Sequence, residues 1–273
     1  MKLALLIEYD GTAFAGWQTQ GDHPKGRSVQ NEIEKGFHRL FLQTVTVHGA
    51  GRTDAGVHAR GMVAHVELPE TIPSVFQEGI ANGPRSKLVM ALNATTPKDI
   101  AILDLRPVPT DFHARHSASA RQYRYTIKID RSAIDRNYVW AIRGAIDASK
   151  LEACAQMLVG EFDFTSFSKR TNDVKHYRCI VERAEWYEDG KYLYFIIRAN
   201  RFVRGMVRAL VGAMVAVGQG KLSPEEFREL LHQPREVWRA KYIAPAHGLV
   251  LEGVTYPERF ELWKVDAGNS TET

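Results

Sequence analysis

Residues His48 to His58 read His-Gly-Ala-Gly-Arg-Thr-Asp-Ala-Gly-Val-His, a polar stretch between two apolar, strand-like runs that carries Arg52 and Asp54 two positions apart. Its glycines, Gly49, Gly51 and Gly56, allow close backbone approach to a ligand or positive φ, and loops held on rigid strands are where reactive groups concentrate. An isolated Thr-Asp-Ala-Gly is most often a tight turn whose side chains bond their own backbone. Arg52 shifts that reading, because an arginine within about 4–6 Å of an aspartate favours the ionised form and lowers its pKa by about 1–3. Asp54 is thereby the candidate nucleophile or general base.

Two further groups have spacing that could serve a site. Arg201, Arg204 and Arg208 lie three and four apart, which on a helix puts them on one face, either solvated or reaching phosphate or carboxylate. Tyr123 falls on the apolar face of a strand, where core packing is the default. Arg115, His116, Arg121, Arg124 and Lys128 surround it in sequence, giving the interleaving of basic and aromatic groups used on unstacked bases.

Other chemistries lack their signatures. The glycines do not form G-x-G-x-x-G, no Gly-Lys-Ser/Thr phosphate loop occurs, and no G-x-S-x-G elbow is present, so no nucleotide cofactor is expected. The ten histidines are scattered, and Asp54 with His58 as a metal pair is a poorer reading than His58 as a hydrogen-bonding residue. No metal is expected. Cys154 and Cys179 form no C-x-x-C pair and read as reduced structural residues. Met1 to Asp10 has neither the length of a membrane span nor a signal-peptide pattern, which points to a cytoplasmic protein without a membrane segment. With 36 basic against 32 acidic side chains the net charge is +4, compatible with a polyanionic partner without requiring one.

The elements that must position these groups follow from periodicity. Lys2–Asp10 alternates as a strand, Ser28 caps a helix through Phe41, Val45–Val47 leads into the Asp54 loop and Met62–Leu68 leads out with one apolar face. Glu70–Arg85 reads as a loop or insert, Leu88–Leu92 as a short helix, and Ala101–Leu105 as a strand ending before Pro107 and Pro109. Arg121–Ile129 is a strand, Ser149-Lys150-Leu151-Glu152 a capping box for a helix ending at Gly160, and Ile180–Tyr187 with Tyr192–Ala199 a hairpin through Asp189-Gly190. A long helix is expected from about Phe202 to Val217, a second capping box at Ser223–Glu226, and a last strand over Gly248–Tyr256. The pattern is α+β, with mainly antiparallel sheets flanked by helices; both halves open with a strand and then deliver a helix and a hairpin-like pair, without a sequence period strong enough to make them repeats. The prolines place the boundary at 108/109, giving domains 1–108 and 109–260 and a disordered tail over 261–273.

Gly51-Arg52-Thr53-Asp54-Ala55-Gly56-Val57-His58 resembles the active-site motif of the TruA family of tRNA pseudouridine synthases. Glu8–Gly11, Gly16–Gln18, Ser28–Gln30, Asp111–Arg115, Phe162–Phe167, Met206–Arg208 and Ala244–Leu249 resemble that family's other blocks, in its order. Met62 departs from it, standing where the family often has Gln. The resemblance implies the pseudouridine synthase fold, two structurally similar domains with the active-site cleft between them, and isomerisation of uridine to pseudouridine at positions 38 to 40 of the tRNA anticodon stem-loop, without cofactor or metal, by a homodimer. It makes Asp54 the catalytic aspartate, Tyr123 the tyrosine packing on the target base, Arg52 a phosphate contact and Arg208 the partner of the carboxylate. It leaves His58, Arg115, Arg124, Arg201 and Arg204 as RNA-contact candidates. A catalytically inactive tRNA-binding chaperone on the same fold, or an N-glycosidase releasing uracil, are the alternatives.

Overall fold

The computed structural model describes residues 1–18, 26–76, 83–171, 174–235 and 242–263. Part of the Glu70–Arg85 insert and residues 264–273 of the expected tail lie outside the described residues. The chain falls into two compact units: Met1–Thr53, Ala59–Ala120 and the chain from Glu252 form the first, and Asp54–His58 with Arg121–Leu251 form the second. The division therefore runs at 120/121 and not at the prolines. Residues after Pro109 stay with the first unit because Phe112 is buried against Tyr256 and Phe260, and the Tyr256 hydroxyl donates to the Ala114 carbonyl at 2.6 Å. At the far end Trp263 donates its indole N–H to Asp104 at 2.7 Å.

In the first unit β1 (Lys2–Tyr9), α1 (Val29–Phe41), β2 (Val47–Gly49), β3 (His58–Glu67), α2 (Lys87–Thr95) and β4 (Ile100–Pro107) follow in order. β1 is central and antiparallel to both β3 and β4, with Leu5 opposite Ala64 and Leu105, and β2 adds to β3. The helices start where short polar side chains can hold orphan N–H groups: Ser28 accepts from the Asn31 amide and Ser86 from the Val89 amide. β3 does not alternate as Met62–Leu68 suggested. Val63 and His65 are buried as fully as Met62 and Ala64, the pattern of an interior strand.

His65 sits in a stack of imidazoles, with ring centroids 4.9 Å from His48 and 4.6 Å from His113, which is 4.4 Å from His116. Burial, then the His113 and His48 rings and Lys2, pushes the His65 pKa down from 6.5 to about 4. Above pH 6.5 the imidazole is neutral folded or unfolded and contributes nothing. As pH falls below 6.5 the unfolded chain takes up a proton that the folded chain refuses, so stability declines until about pH 4, by up to about 3 kcal/mol. Denaturant unfolding of the chain at pH 7 and pH 4.5 checks this, with His65→Gln expected to flatten the difference.

The second unit contains β5 (Ala120–Ile129), β6 (Trp140–Ile142), α3 (Ala148–Gln156), β7 (Gly160–Asp163), β8 (Arg178–Asp189), β9 (Tyr192–Ala199), α4 (Met206–Gly218) and α5 (Pro224–His232). β10 (Leu249–Thr255) begins here and ends in the first unit. The sheet order β5-β9-β8-β7 is antiparallel throughout, and β6 joins β5 in parallel. The β8–β9 turn follows the sequence reading, with Asp189 paired to Tyr192 and Gly190 at φ +58°. Tyr125, Ile127, Phe195, Ile197, Leu151, Cys154 and most of α4 make one core. Both thiols are buried and free, and burial pushes them up to about 11.

Two helix starts differ from expectation. α3 is capped by Asp147, whose carboxylate accepts from the Ser149 and Lys150 amides, while Glu152 accepts from the Trp186 amide at 2.6 Å. An acceptor two residues earlier took the cap and released Glu152 for β8. α4 begins at Met206 and not near Phe202, because Gly205 precedes it at φ +73°. Arg201 and Arg204 therefore lie outside the helix and share no helical face with Arg208. The Ser223–Glu226 capping box is present with both of its bonds.

Candidate active site

The first half of the Asp54 loop is fixed within the first unit. Thr53 is buried, its hydroxyl bonds Tyr9 Oη at 2.8 Å, and its carbonyl accepts from the Trp17 amide. Gly49 has no room for a side chain, since a Cβ would stand 2.6 Å from the Trp17 ring. Arg52 is exposed.

The second half belongs to the second unit. Asp54 opens a turn closed by the Val57 N–H donating to its carbonyl at 3.1 Å, with Gly56 at φ +80° in the third position. Val57 is buried in the core cluster, and the chain continues directly into β3. This turn leaves the Asp54 side chain only 28% exposed and facing Arg208, whose Nη1 is 3.2 Å from Oδ2. Among the described residues, the cation paired with Asp54 is thus Arg208.

Arg208 is placed by its helix and by backbone. α4 is buried along its whole length except at this residue, so the guanidinium is a polar group on an otherwise apolar helix. Its Nε donates to the Ala244 carbonyl at 2.8 Å, and the Ala244 amide returns a bond to the Arg208 carbonyl at 3.0 Å. With Nε committed to backbone, Nη1 is aimed at the carboxylate.

Tyr123 lies on the inward face of β5, edge-on to Phe202 with centroids 5.1 Å apart. Burial first, with Asp54 adding and Arg121 opposing, pushes its hydroxyl up to about 12. At neutral pH it is a neutral donor, suited to proton delivery and unsuited to resting as a base. Two residues on, Tyr125 is wholly buried, donates to the Pro245 carbonyl at 2.8 Å and has its hydroxyl pushed up by burial. His247 is held below the ordinary imidazole range by burial, with His58 and Arg208 adding to the effect. One carboxylate, a backbone-held arginine, a neutral phenol and an edge-on phenyl ring suit acid–base or covalent work beside a flat, neutral ring.

The remaining candidates are dispersed. His58 is 3% exposed and its Nε2 donates to the Asn137 carbonyl at 2.9 Å, so burial removes it from the surface contacts. Arg124 is on the opposite face of β5 from Tyr123, its guanidinium 5.6 Å from the Tyr194 ring centre. Arg201 is half-buried and Arg204 exposed before α4, with the Arg204 carbonyl accepting from the Lys169 amide; Arg115 is exposed in the first unit. Among the described residues no cluster of three or more His, Cys, Asp or Glu is arranged to hold a metal ion. Nor is any helix among them long and apolar enough to cross a membrane.

A family model described as tRNA pseudouridine synthase matches residues 5–117 and 154–257. The chain belongs to that family. The matched stretches contain Asp54, Arg208 and Ala244, whereas Tyr123 and Asn137 fall between them. Among curated proteins named tRNA pseudouridine synthase A, that of Parabacteroides distasonis is 38% identical over 96% of this chain and 98% of its own length. That of Bacteroides thetaiotaomicron is 39% identical over 93% and 90%, and that of a Geobacter species 36% over 94% and 99%.

Phe202, Asn137, Ala244, Pro245 and Gly248 carry no side-chain spacing that marks them as site residues. Ala244, Asn137 and Pro245 act through carbonyls, which no side-chain pattern announces. Gly248 does carry a signal, a glycine directly before a strand, and its reason is steric: a Cβ there would stand 2.6 Å from Tyr125 Cζ and 2.9 Å from its hydroxyl. Gly248→Ala is expected to cost about 1–3 kcal/mol or more of stability, as overpacking against a fixed ring does. Thermal unfolding of the variant beside the parent measures it.

Proposed function

We propose that the chain isomerises uridine to pseudouridine at positions 38, 39 and 40 of the tRNA anticodon stem-loop, with Asp54 as its catalytic carboxylate. The observation that carries this reading is the Asp54–Arg208 pair at 3.2 Å in a chain of this family. The reaction breaks the N1–C1′ bond, turns the base and forms C5–C1′; a proton leaves C5 and one arrives at N1, so nothing is consumed. Such a sequence needs a carboxylate beside the ribose, to attack C1′ or to take a proton from the sugar. It also needs a surface to hold the detached ring, the role of Tyr123 with Phe202 behind it. The neutral Tyr123 hydroxyl is a proton-transfer group for the turned base.

Extruding the nucleotide costs a few kcal/mol of unstacking, offset by stacking on Tyr123 and by a phosphate contact from exposed Arg52. Arg115, Arg124, Arg201 and Arg204 are the wider RNA contacts, and the working form is a cytoplasmic homodimer. Because phosphate contacts release counterions, tRNA affinity should fall steeply between 50 and 200 mM salt, by about 10³-fold or more if six or more phosphates are contacted. An affinity constant across that range by filter binding would count against a phosphate-dominated surface.

The deciding experiment incubates the purified chain with unmodified tRNA transcript and separates the nucleosides. Pseudouridine mapped to 38–40 supports the proposal. Binding without a new C-nucleoside favours the chaperone reading, and free uracil favours an N-glycosidase.

A further inference from the structure

The turn over Asp135–Asn137, outside the Asp54 loop, is held by more polar bonds than a surface turn requires. The Asp135 carboxylate accepts from Lys128 Nζ at 2.6 Å, from Ser132 Oγ at 2.8 Å and from Tyr192 Oη at 2.8 Å, and the Ser132 hydroxyl also accepts from the Asp135 amide. These bonds fasten the turn to β5 and β9, two strands of one sheet. At its end the Asn137 carbonyl accepts from His58 Nε2 at 2.9 Å, and the neighbouring Tyr138 ring packs on the imidazole with centroids 5.0 Å apart. A carbonyl only accepts, so the Nε2 proton is fixed. His58 directly follows Val57, whose amide closes the turn that presents Asp54.

We infer that His58 is a positioning residue for the reaction: through Asn137 and the Lys128–Asp135–Tyr192 network it ties the exit of the Asp54 turn to the β5–β9 sheet, setting where the carboxylate points. This rests on the proposed role of Asp54. Arg208 holds the carboxylate itself, and the His58 tether holds the backbone that follows it. Loss of the tether leaves the carboxylate present but misdirected, which lowers turnover while RNA affinity stays.

The test measures single-turnover rate, tRNA dissociation constant and melting temperature for His58→Phe, His58→Gln, Asp135→Asn and the double variant His58→Phe/Asp135→Asn. Because an approach error of about 1 Å can cost about 10²-fold, His58→Phe is expected to slow turnover about 10- to 100-fold with affinity within about threefold. His58→Gln keeps an N–H donor and should recover most of the rate. Asp135→Asn should give a smaller loss in turnover, and the double variant no more than His58→Phe alone, since both act on one tether. Equal rates for Gln and Phe, a loss confined to affinity, or additive losses would each overturn the inference. Should His58→Phe fail to fold, the Gln and Asp135→Asn rates decide it. Inactivity of the parent chain on every tRNA would sink the proposed function instead, a result distinct from these.

Discussion

Asp54→Ala is expected to bind tRNA with affinity close to that of the parent and to make no detectable pseudouridine. The carboxylate is 28% exposed and bonded on one oxygen, so it contributes little to the fold and much to the chemistry. Removing a catalytic base or nucleophile typically costs about 10²–10⁶ in rate. Asp54→Asn sharpens the test. It keeps the shape, and its amide oxygen can still accept from Arg208, but it can neither attack a sugar carbon nor hold a proton. Carbodiimide mapping of tRNA incubated with either variant reads the outcome. An Asn variant retaining more than about a hundredth of the parent rate would mean that the carboxylate orients the nucleotide and another group does the chemistry.

How far the chain could be read before its structure depended on what each feature rests on. The Ser28 and Ser223 caps and the Asp189-Gly190 turn are local, and they fold as the sequence suggests. A nearer cap, the distant Trp186 amide that holds Glu152, and one left-handed glycine caused the differences. Asp147 outcompeted Ser149 for the start of α3, and a left-handed Gly205 cut the arginine stripe that uniform helical spacing had joined. The candidate site shows the same division. Asp54 stood out through its glycines, but its cation is 154 residues away at Arg208, and Arg52 two positions off is exposed. Spacing in sequence identifies the loop that holds a reactive group; it does not identify the neighbour that fixes it. That neighbour is itself aimed by a backbone carbonyl, which carries no residue signature at all.

The second large effect belongs to Arg208. Its fork makes two bonds with separate purposes, Nε to the Ala244 carbonyl at 2.8 Å and Nη1 to Asp54 at 3.2 Å. Arg208→Ala is expected to lower turnover by about 10²–10³-fold, the usual loss when one preorganised donor leaves a site, with tRNA affinity changed only slightly because the guanidinium is spent on protein acceptors. Arg208→Lys should behave more like Ala than like the parent: an ammonium keeps the charge but has no planar fork to bridge a carbonyl and a carboxylate at once. Combining Asp54→Ala with Arg208→Ala separates this account from its rival. If Arg208 acts through the carboxylate, the double variant is no slower than Asp54→Ala alone, since the group it aims is already gone. If the two losses multiply, Arg208 meets the RNA directly, and the 3.2 Å pair is a resting arrangement that substrate breaks.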